Sequence, residues 1–278
     1  MIFDLHSHSN YSDGILSPAA LMSRAKANGV TVLALTDHDT IAGLRDAQQA
    51  ADENDLVLIP GIEFSSQWGK IGVHIVGLGI ATESDVLASA IVEQRQSRLS
   101  RAQAIAERLA KLGFIGALEG AQRFAGDALV GRPHFARHLV DIGAVRQPQD
   151  AFKKFLGTGK PADVKYQWPD IHQIIAWIHA AGGQAVLAHP LKYQLTRTKM
   201  RGLISDFAAA GGDALEVISG QQSHADTDAL ARLATEHHLS ASCGSDFHMP
   251  NQSWQELGNF GRLPAHCHPV WRRLGFTA

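Results

Sequence analysis

Residues 1–14 read MIFDLHSHSNYSDG and carry the pattern on which the predicted fold depends. The largely apolar residues 2–5 favour a short buried strand. His6-Ser7-His8 follows this strand directly, and Asp13 lies five residues later. Because alternate side chains of an extended segment point the same way, His6 and His8 can bind one metal ion or two neighbouring ones. The first strand therefore predicts a metal site at its end.

Further apolar segments alternate with helical patterns along the chain. Ser17-Pro18 predicts a helix start and Asn28-Gly29 its end, and Asp39-Thr40 predicts the start of a second helix reaching about residue 52. Such alternation is typical of parallel βα units, and seven strands favour a closed or nearly closed barrel over an open sheet. The remaining strands are predicted at residues 31–36, 56–64 (interrupted by Pro60-Gly61), 72–79, 184–188, 214–218 and 240–243.

Residues 84–168, called the helical insertion below, interrupt this alternation. We expect a long helix over 84–112 and shorter helices near 118–124, 133–142 and 149–155, with no strand. The segment holds 13 Lys/Arg against 8 Asp/Glu, whereas the rest of the chain is acidic. We therefore predict an α/β barrel formed by residues 1–83 and 169–278, covered by a basic all-helical domain over 84–168.

Bulk composition excludes several protein classes. The 278 residues are 45% hydrophobic and 19% charged, which is typical of a globular protein with a sizeable core. We expect no membrane span, no leader peptide and a cytoplasmic location, because no long apolar run is present and Cys243 and Cys267 are the only cysteines. A net charge of −2 argues against wholesale coating of nucleic acid. No obligate protein partner is evident.

Polar side chains follow most of the predicted strands. The carboxyl ends of parallel barrel strands share one rim, so these residues should converge there. Imidazole and carboxylate together suit Zn²⁺, Mn²⁺ or Fe²⁺, and the number of candidates favours two or three ions bridged by a carboxylate such as Glu63. Asp37 is interpreted as a helix cap, because His38 occupies the ligand position. The residues outside the first segment are Asp37-His38, Glu63, His74, His189 and Asp246 with His248.

Six segments, in order, resemble the PHP family, named for its polymerase-associated and histidinol-phosphatase members. They are DLHSHSNYSDG (4–14), ALTDHDT (34–40), PGIEFS (60–65), HIVGLG (74–79), VLAHP (186–190) and CGSDFH (243–248). The resemblance implies a distorted seven-stranded (β/α)7 barrel with a trinuclear metal centre. We expect Mn²⁺, with Zn²⁺ or Fe²⁺ as alternatives. The implied ligands are His6, His8, Asp13, His38, Glu63, His74, His189, Asp246 and His248.

The expected chemistry is phosphoester hydrolysis by metal-activated hydroxide. Metal coordination lowers the pKa of water toward 7, and paired ions can stabilise the attacking and leaving oxygens. We expect direct attack by water because no protein nucleophile stands out. Asp246 or His248 is the candidate for moving protons during catalysis.

The helical insertion suggests the substrate. Arg95, Arg98 and Arg101 recur every three residues, and Arg132 directly precedes Pro133-His134 at a predicted helix start, where a phosphate could bind. Residues 98–113, 131–143 and 182–190 are similar to PHP phosphoesterases that hydrolyse nucleoside 3′,5′-bisphosphates and short RNA 5′ ends. The resemblance implies removal of the 3′-phosphate from adenosine 3′,5′-bisphosphate. The expected substrate-binding residues are Arg98, Arg101, Arg132, His134, Asp13 and His38.

Several alternatives stay open. A 5′-3′ exoribonuclease acting on short RNA would use the same metals, and a histidinol-phosphate phosphatase is less favoured because a cationic substrate would need acidic groups. A metal-binding module of a polymerase and an amidohydrolase are further possibilities. The other histidines are interpreted as surface or packing residues, with His224 undecided; they are His138, His172, His179, His237, His238, His266 and His268.

Overall fold

The computed structural model describes residues 1–165 and 168–277, and it contains seven strands arranged in sequence order. The first and last strands approach each other, since the Leu5 N–H donates to the Cys243 carbonyl at 3.0 Å. The sheet is thus a nearly closed barrel, and the predicted fold class is confirmed. The strands are β1 (Phe3–Asp4), β2 (Val32–Leu35), β3 (Val57–Trp68), β4 (Ile71–Leu78), β5 (Gln184–Leu187), β6 (Ala214–Ser219) and β7 (Ser240–Gly244).

Strand β4 runs opposite to its neighbours, so the expectation of uniformly parallel strands is wrong there. It pairs antiparallel with both β3 and β5, with Ser65 opposite His74 and Ile75 opposite Leu187. A tight turn at Gly69, whose φ is +58°, joins β3 to β4. Because β4 is reversed, its first half lies at the rim where the parallel strands end. His74 therefore reaches the same rim as the strand-end residues.

Strand β3 continues through Pro60 and Gly61, so the predicted interruption there is wrong. A Cβ at Gly61 would lie 2.8 Å from the Thr36 side chain and 3.0 Å from the Leu35 carbonyl oxygen. Gly61 therefore permits close approach of neighbouring backbone rather than ending the strand.

Helices cover the outside of the barrel. The first begins after Ser17, whose Oγ accepts a hydrogen bond from the Ala20 N–H, as predicted. The second begins at Leu44 rather than at residues 39–40, because Asp39 has a φ of +53° and its carboxylate accepts from Ser65 instead of capping a helix. The barrel helices are α1 (Pro18–Ala27), α2 (Leu44–Glu53), α7 (Ile171–Ala180), α8 (Arg197–Ala209) and α9 (His224–Glu236).

Within the described part of the helical insertion all regular structure is helical, as expected, while the domain boundaries at 84 and 168 stay a prediction. The elements are α3 (Asp85–Lys111), α4 (Ala117–Ala125), α5 (Arg132–Asp141), α6 (Pro148–Ala151) and a π-helical turn (Phe152–Leu156). Buried His138 packs against Gly120, where a Cβ would lie 2.2 Å from its ring.

Helix α3 takes part in two hydrophobic cores. Its first turns place Leu87 and Ala90 in the barrel core, whereas Ile105 and Leu109 lie in a separate core formed by the insertion helices. Although α3 is 27 residues long, neither it nor any other helix in the described ranges has the length and apolarity needed to cross a membrane. The helix thus joins the insertion to the barrel.

Candidate metal centre and anion pocket

The nine predicted ligands converge at one rim of the barrel. They form four groups in which the potential ligand atoms lie within 4.8 Å of one another. The groups share members, as expected for several ions held side by side. They are His8/Asp13/His38/His248, His6/Glu63/His189, His6/His8/Asp246 and His38/Glu63/His74.

Glu63 lies at the centre of this constellation, and its side chain is completely buried. Its Oε1 is 2.9 Å from His74 Nδ1 and 2.9 Å from His189 Nε2. Its Oε2 is 2.9 Å from His38 Nδ1 and 3.4 Å from His6 Nε2. One carboxylate therefore faces histidines from several strands, and each of its oxygens could contact a different ion.

Asp246 and Asp13 complete the constellation. Asp246 Oδ1 is 3.2 Å from His8 Nε2 and 3.5 Å from His6 Nε2. Asp13 Oδ1 is 3.1 Å from His248 Nε2. Both aspartates are buried, so their charges are shielded little by water.

Unpartnered buried atoms show that the residues fit divalent cations. Among the described residues, eight nitrogen and oxygen atoms of this constellation are buried without a hydrogen-bond partner. Each such atom costs about 1–3 kcal/mol unless something satisfies it, and cations would satisfy the carboxylate oxygens and one nitrogen of each imidazole ring. The atoms are His6 Nε2, both ring nitrogens of His8, Asp13 Oδ1, His38 Nδ1, Glu63 Oε2, His189 Nδ1 and Asp246 Oδ1.

The carboxylates and His8 already have the protonation states that suit cation binding, whereas carboxylates outweigh burial and raise the pKa of His6, His38 and His248, which would release protons to bound cations. Burial alone would raise the pKa of Glu63. The nearby imidazoles, of which His38 has the largest effect, outweigh burial and hold this pKa well below its usual range. For Asp246 burial is likewise outweighed, chiefly by the Lys192 ammonium, and its pKa is well below normal. Burial lowers the pKa of His8 to about 3, so this ring is neutral at pH 7. Ionised carboxylates and neutral imidazoles are the forms that bind metal ions.

Glu216 is a functional residue that the sequence analysis missed. It lies in β6, and its carboxylate oxygens are 3.1 and 3.2 Å from His6 Nδ1. The same carboxylate accepts a hydrogen bond from the His189 N–H at 2.5 Å. Glu216 therefore orients the imidazole of His6, leaving Nε2 toward the centre. A charged residue inside the otherwise apolar segment ALEVIS was the available signal.

Replacing Glu216 by Gln should lower metal affinity and kcat/KM by roughly 10- to 100-fold, because the carboxylate that orients His6 is lost. Metal content after dialysis and steady-state kinetics would measure the effect. Glu236→Gln, an exposed carboxylate at the end of α9, is the control. Unchanged metal affinity and kcat/KM in Glu216→Gln would contradict the assigned role.

Polar neighbours fix the loops after β1, β5 and β7. Lys192 forms an ion pair with Asp246, and the Gln255 side-chain N–H donates to the Asp246 carbonyl at 2.8 Å. Asp37 caps no helix and instead accepts from the hydroxyls of Ser9 and Ser12, each at 2.6 Å. The helix-cap interpretation of Asp37 is therefore wrong: its carboxylate holds the loop after β1.

A pocket between the barrel rim and the helical insertion, called the anion pocket below, contains Asp13 and His38. Arg98 and His134, both predicted to bind substrate, line it. The other lining arginine is Arg95. Arg98 donates to the Asp39 carboxylate and, at 3.0 Å, to Ser65 Oγ, which fixes its guanidinium group. The pocket therefore places two arginines, together with Asp39 and Asp127, beside the candidate metal ligands Asp13 and His38.

His134 presents a neutral ring to this pocket. The Gly131 N–H donates to His134 Nδ1 at 2.9 Å, so the proton of the neutral ring lies on Nε2. Burial lowers the pKa of His134 to about 4. The nearby Asp13 carboxylate acts in the opposite direction, and repulsion from Arg137 and Arg98 lowers the pKa further. His134 can therefore donate a hydrogen bond to an anion at neutral pH.

Arg101 and Arg132 lie near Arg98 but are not among the residues that line the pocket. Burial lowers the pKa of Arg101 to about 9, and repulsion from Arg132 and Arg98 contributes. The buried Nε of Arg101 has no hydrogen-bond partner in the described ranges. Arg98 and Arg101 also lie over the Trp168 ring, at 5.8 and 5.6 Å from its centroid. The three arginines therefore lie close enough to repel one another, and Arg98 is also ion-paired with Asp39.

Comparisons with known proteins agree with this geometry. The PHP domain model matches residues 4–116. The chain is 44% identical over 272 residues to a 3′,5′-nucleoside bisphosphate phosphatase of Chromobacterium violaceum, covering 98% of this chain and 95% of that protein. It is 47% identical over 274 residues to the 5′-3′ exoribonuclease Rnm of Escherichia coli K12, covering 98% and 93%.

Solved structures show the same fold. One, described as an amidohydrolase of Chromobacterium violaceum with bound sulfate and no metal, has a TM-score of 0.92 at 42% identity, covering 99% of this chain and 96% of that one. Another, described as a metal-dependent phosphoesterase of Bifidobacterium adolescentis, has a TM-score of 0.79 at 27% identity, covering 96% and 92%. The chain therefore belongs to the PHP family and is a metal-dependent hydrolase of phosphoesters.

Proposed function

We propose that the protein removes the 3′-phosphate from nucleoside 3′,5′-bisphosphates, such as adenosine 3′,5′-bisphosphate, and releases the 5′-monophosphate and phosphate. The observation that carries this proposal is the cluster of Arg98, Arg101 and Arg132, of which Arg98 lines the pocket that also contains Asp13 and His38. Hydrolysis of a single phosphate needs only the metal centre, so a second anion site implies a second phosphate. The relative named a 3′,5′-nucleoside bisphosphate phosphatase supports the same substrate.

The proposed metal ligands are the nine residues that converge at the rim, and the proposed cofactor is two or three Mn²⁺ ions. Six imidazoles with three carboxylates suit Mn²⁺, Zn²⁺ or Fe²⁺ better than Mg²⁺ or Ca²⁺, which prefer oxygen ligands. When bound, such ions supply Lewis acidity to the phosphoryl group and lower the pKa of water.

The protein's own residues would orient the substrate between the two sites. Arg98, Arg101 and Arg132 hold the remote 5′-phosphate by charge, and His134 donates a hydrogen bond from Nε2. Asp13 and His38 line both the pocket and the metal centre, so they lie where the sugar and the scissile phosphate meet. Binding energy from the remote phosphate would then position the reacting one.

Asp246 and His248 are the proposed proton carriers, each at a stage when it does not itself bind a cation. His248 Nδ1 lies 2.9 Å from the Asp246 carbonyl oxygen, which leaves Nε2 directed toward the centre. The His248 side chain is 21% exposed, more than the buried His6 and His8, so it can exchange protons with solvent. A proton delivered from this position would neutralise the O3′ oxygen as the bond to phosphorus breaks.

A 5′-3′ exoribonuclease activity is the second candidate, favoured by the relative that carries this name at 47% identity. The two reactions share chemistry, because both break the bond between phosphorus and the O3′ of a nucleotide that bears a 5′-phosphate. In the phosphatase reaction the scissile phosphate is terminal, whereas in the exoribonuclease reaction it is also bonded to the next nucleoside.

A phosphate-release assay over a set of phosphoesters tests the proposal. We expect adenosine 3′,5′-bisphosphate to give a kcat/KM at least a hundredfold above p-nitrophenyl phosphate and histidinol phosphate, because only the bisphosphate offers a second anion. Protein stripped by chelation should be inactive and regain activity with Mn²⁺, with bound metal measured in parallel. Equal rates on all three esters, or full activity without metal, would overturn the proposal.

A further inference from the structure

A second pocket lies against the metal centre on a different side from the anion pocket. Its lining includes His189, Leu191, Lys192, Trp254 and Gln255. We infer that this pocket, called the Trp254 pocket below, binds the nucleoside attached to the far side of the scissile phosphate in a 5′-phosphorylated RNA end. The inference rests on the proposed function and assigns a binding site to the second nucleoside of a diester substrate.

The position of the Trp254 pocket supports this assignment. It shares no lining residue with the anion pocket, which borders the centre through Asp13 and His38, whereas the Trp254 pocket borders it through His189. Two of its lining residues, Lys192 and Gln255, also contact Asp246 directly. A phosphate held at the centre would therefore have one substituent directed into each pocket.

The chemistry of the pocket suits a nucleobase. Trp254 is 51% exposed and Leu191 is 38% exposed, and both line the pocket, so they offer apolar surface to a bound group. Stacking on an exposed aromatic ring is the usual way in which proteins hold unpaired bases. Gln221 adds an amide at the edge, and the Lys192 ammonium at the junction adds positive charge where the bridging phosphate would lie.

The backbone that carries Trp254 is fixed although the ring is exposed. The Gln221 N–H donates to the Trp254 carbonyl oxygen at 2.7 Å. Gly220 has a φ of +60°, and a Cβ there would lie 2.4 Å from the same oxygen. The loop after β6 thus holds the tryptophan in place, as a preformed stacking surface requires.

The diester reaction balances with the same chemistry as the phosphatase reaction. The water oxygen bonds to phosphorus, the O3′–P bond breaks, and O3′ takes a proton. The products are a nucleoside 5′-monophosphate and an RNA shortened by one nucleotide that again carries a 5′-phosphate. A bisphosphate has only one nucleoside, so only a diester places a second one in the Trp254 pocket.

Substrate pairs with matched variants test this inference. The substrates are adenosine 3′,5′-bisphosphate, the 5′-phosphorylated adenosine dinucleotide, and the same dinucleotide without the second base. Trp254→Ala should lower kcat/KM for the dinucleotide about tenfold more than for the bisphosphate, since stacking on an aromatic ring is lost. Trp254→Phe should restore most of this difference. The dinucleotide lacking the second base should respond to Trp254→Ala as the bisphosphate does.

Phe124→Ala is the matched control, because Phe124 is a partly exposed aromatic residue of α4 that lines neither pocket. It should leave the ratio of the two kcat/KM values unchanged. If Trp254→Ala also leaves the ratio unchanged while the wild-type protein hydrolyses the bisphosphate, the inference alone is overturned. If the wild-type protein hydrolyses neither nucleotide, the proposed function fails and the inference with it.

Discussion

Replacing Glu63 by Gln should lower kcat/KM for phosphoester hydrolysis by about a thousandfold and reduce the bound metal. The glutamate faces histidines from several strands, and the amide keeps its size but loses the charge that offsets the cations. Loss of Lewis acidity of several kcal/mol corresponds to about three powers of ten in rate. Metal analysis of the dialysed variant and initial rates at saturating Mn²⁺ would measure both effects.

Glu83→Gln provides the control, because Glu83 is an exposed carboxylate just before α3 and lies outside the metal centre. It should match the wild-type protein in rate and in metal content. A Glu63→Gln protein that retains the full complement of ions and normal activity would refute a bridging role for this carboxylate.

Replacing Arg101 by Met should lower kcat/KM for adenosine 3′,5′-bisphosphate about 30- to 1000-fold more than for p-nitrophenyl phosphate. A lost charge-assisted contact to phosphate costs on the order of 2–4 kcal/mol, and the simple ester has no second phosphate to lose. Methionine preserves much of the side-chain volume against Trp168. Parallel kinetics on the two esters would give the difference directly.

The thermal stability of Arg101→Met separates a binding defect from misfolding. Because Arg101 repels Arg98 and Arg132, removal of its charge should leave Tm unchanged or raise it. Arg123→Met, in which a well-exposed arginine of α4 is replaced, is the control for charge alone. Equal losses on both esters with a normal Tm would exclude a remote phosphate contact at Arg101.

The sequence was sufficient to locate the strands and the convergent residues. The apolar segments at residues 31–36 and 214–218 became β2 and β6 within about one residue at each end, because buried barrel strands need continuous apolar stretches. The metal-binding candidates could be predicted because strand ends of a barrel meet in space whatever their separation along the chain. His6 and Asp246, 240 residues apart, lie 3.5 Å from each other.

The direction of β4 could not be predicted from its residues. An apolar strand has the same side-chain pattern whether it runs parallel or antiparallel to its neighbour, so only the connection reveals the difference. The connection from β3 to β4 is too short for a crossover helix, which was the signal for a hairpin at Gly69. Once β4 is reversed, His74 reaches the rim from within the strand and not from its end.

Residues that act through others were also missed. Glu216, Asp39 and Lys192 have no motif of their own, since each matters through a partner brought near only by folding. Arg98 and Arg101 were predicted to bind substrate and Arg95 was not, but Arg95 and Arg98 line the pocket while Arg101 does not. Side-chain depth depends on the packing of α3 against its neighbours, which spacing along one helix does not specify.

The participation of α3 in two cores restricts how this chain can change in length. One residue inserted between Gln94 and Arg98 would rotate everything beyond it by about 100° and shift it by about 1.5 Å. Leu87 would stay packed in the barrel core, while Ile105 and Leu109 would be rotated out of the insertion core. Insertions and deletions should therefore be tolerated in the surface turns near Gly126 and Gly143, where no neighbouring atom lies close, and selected against within this helix.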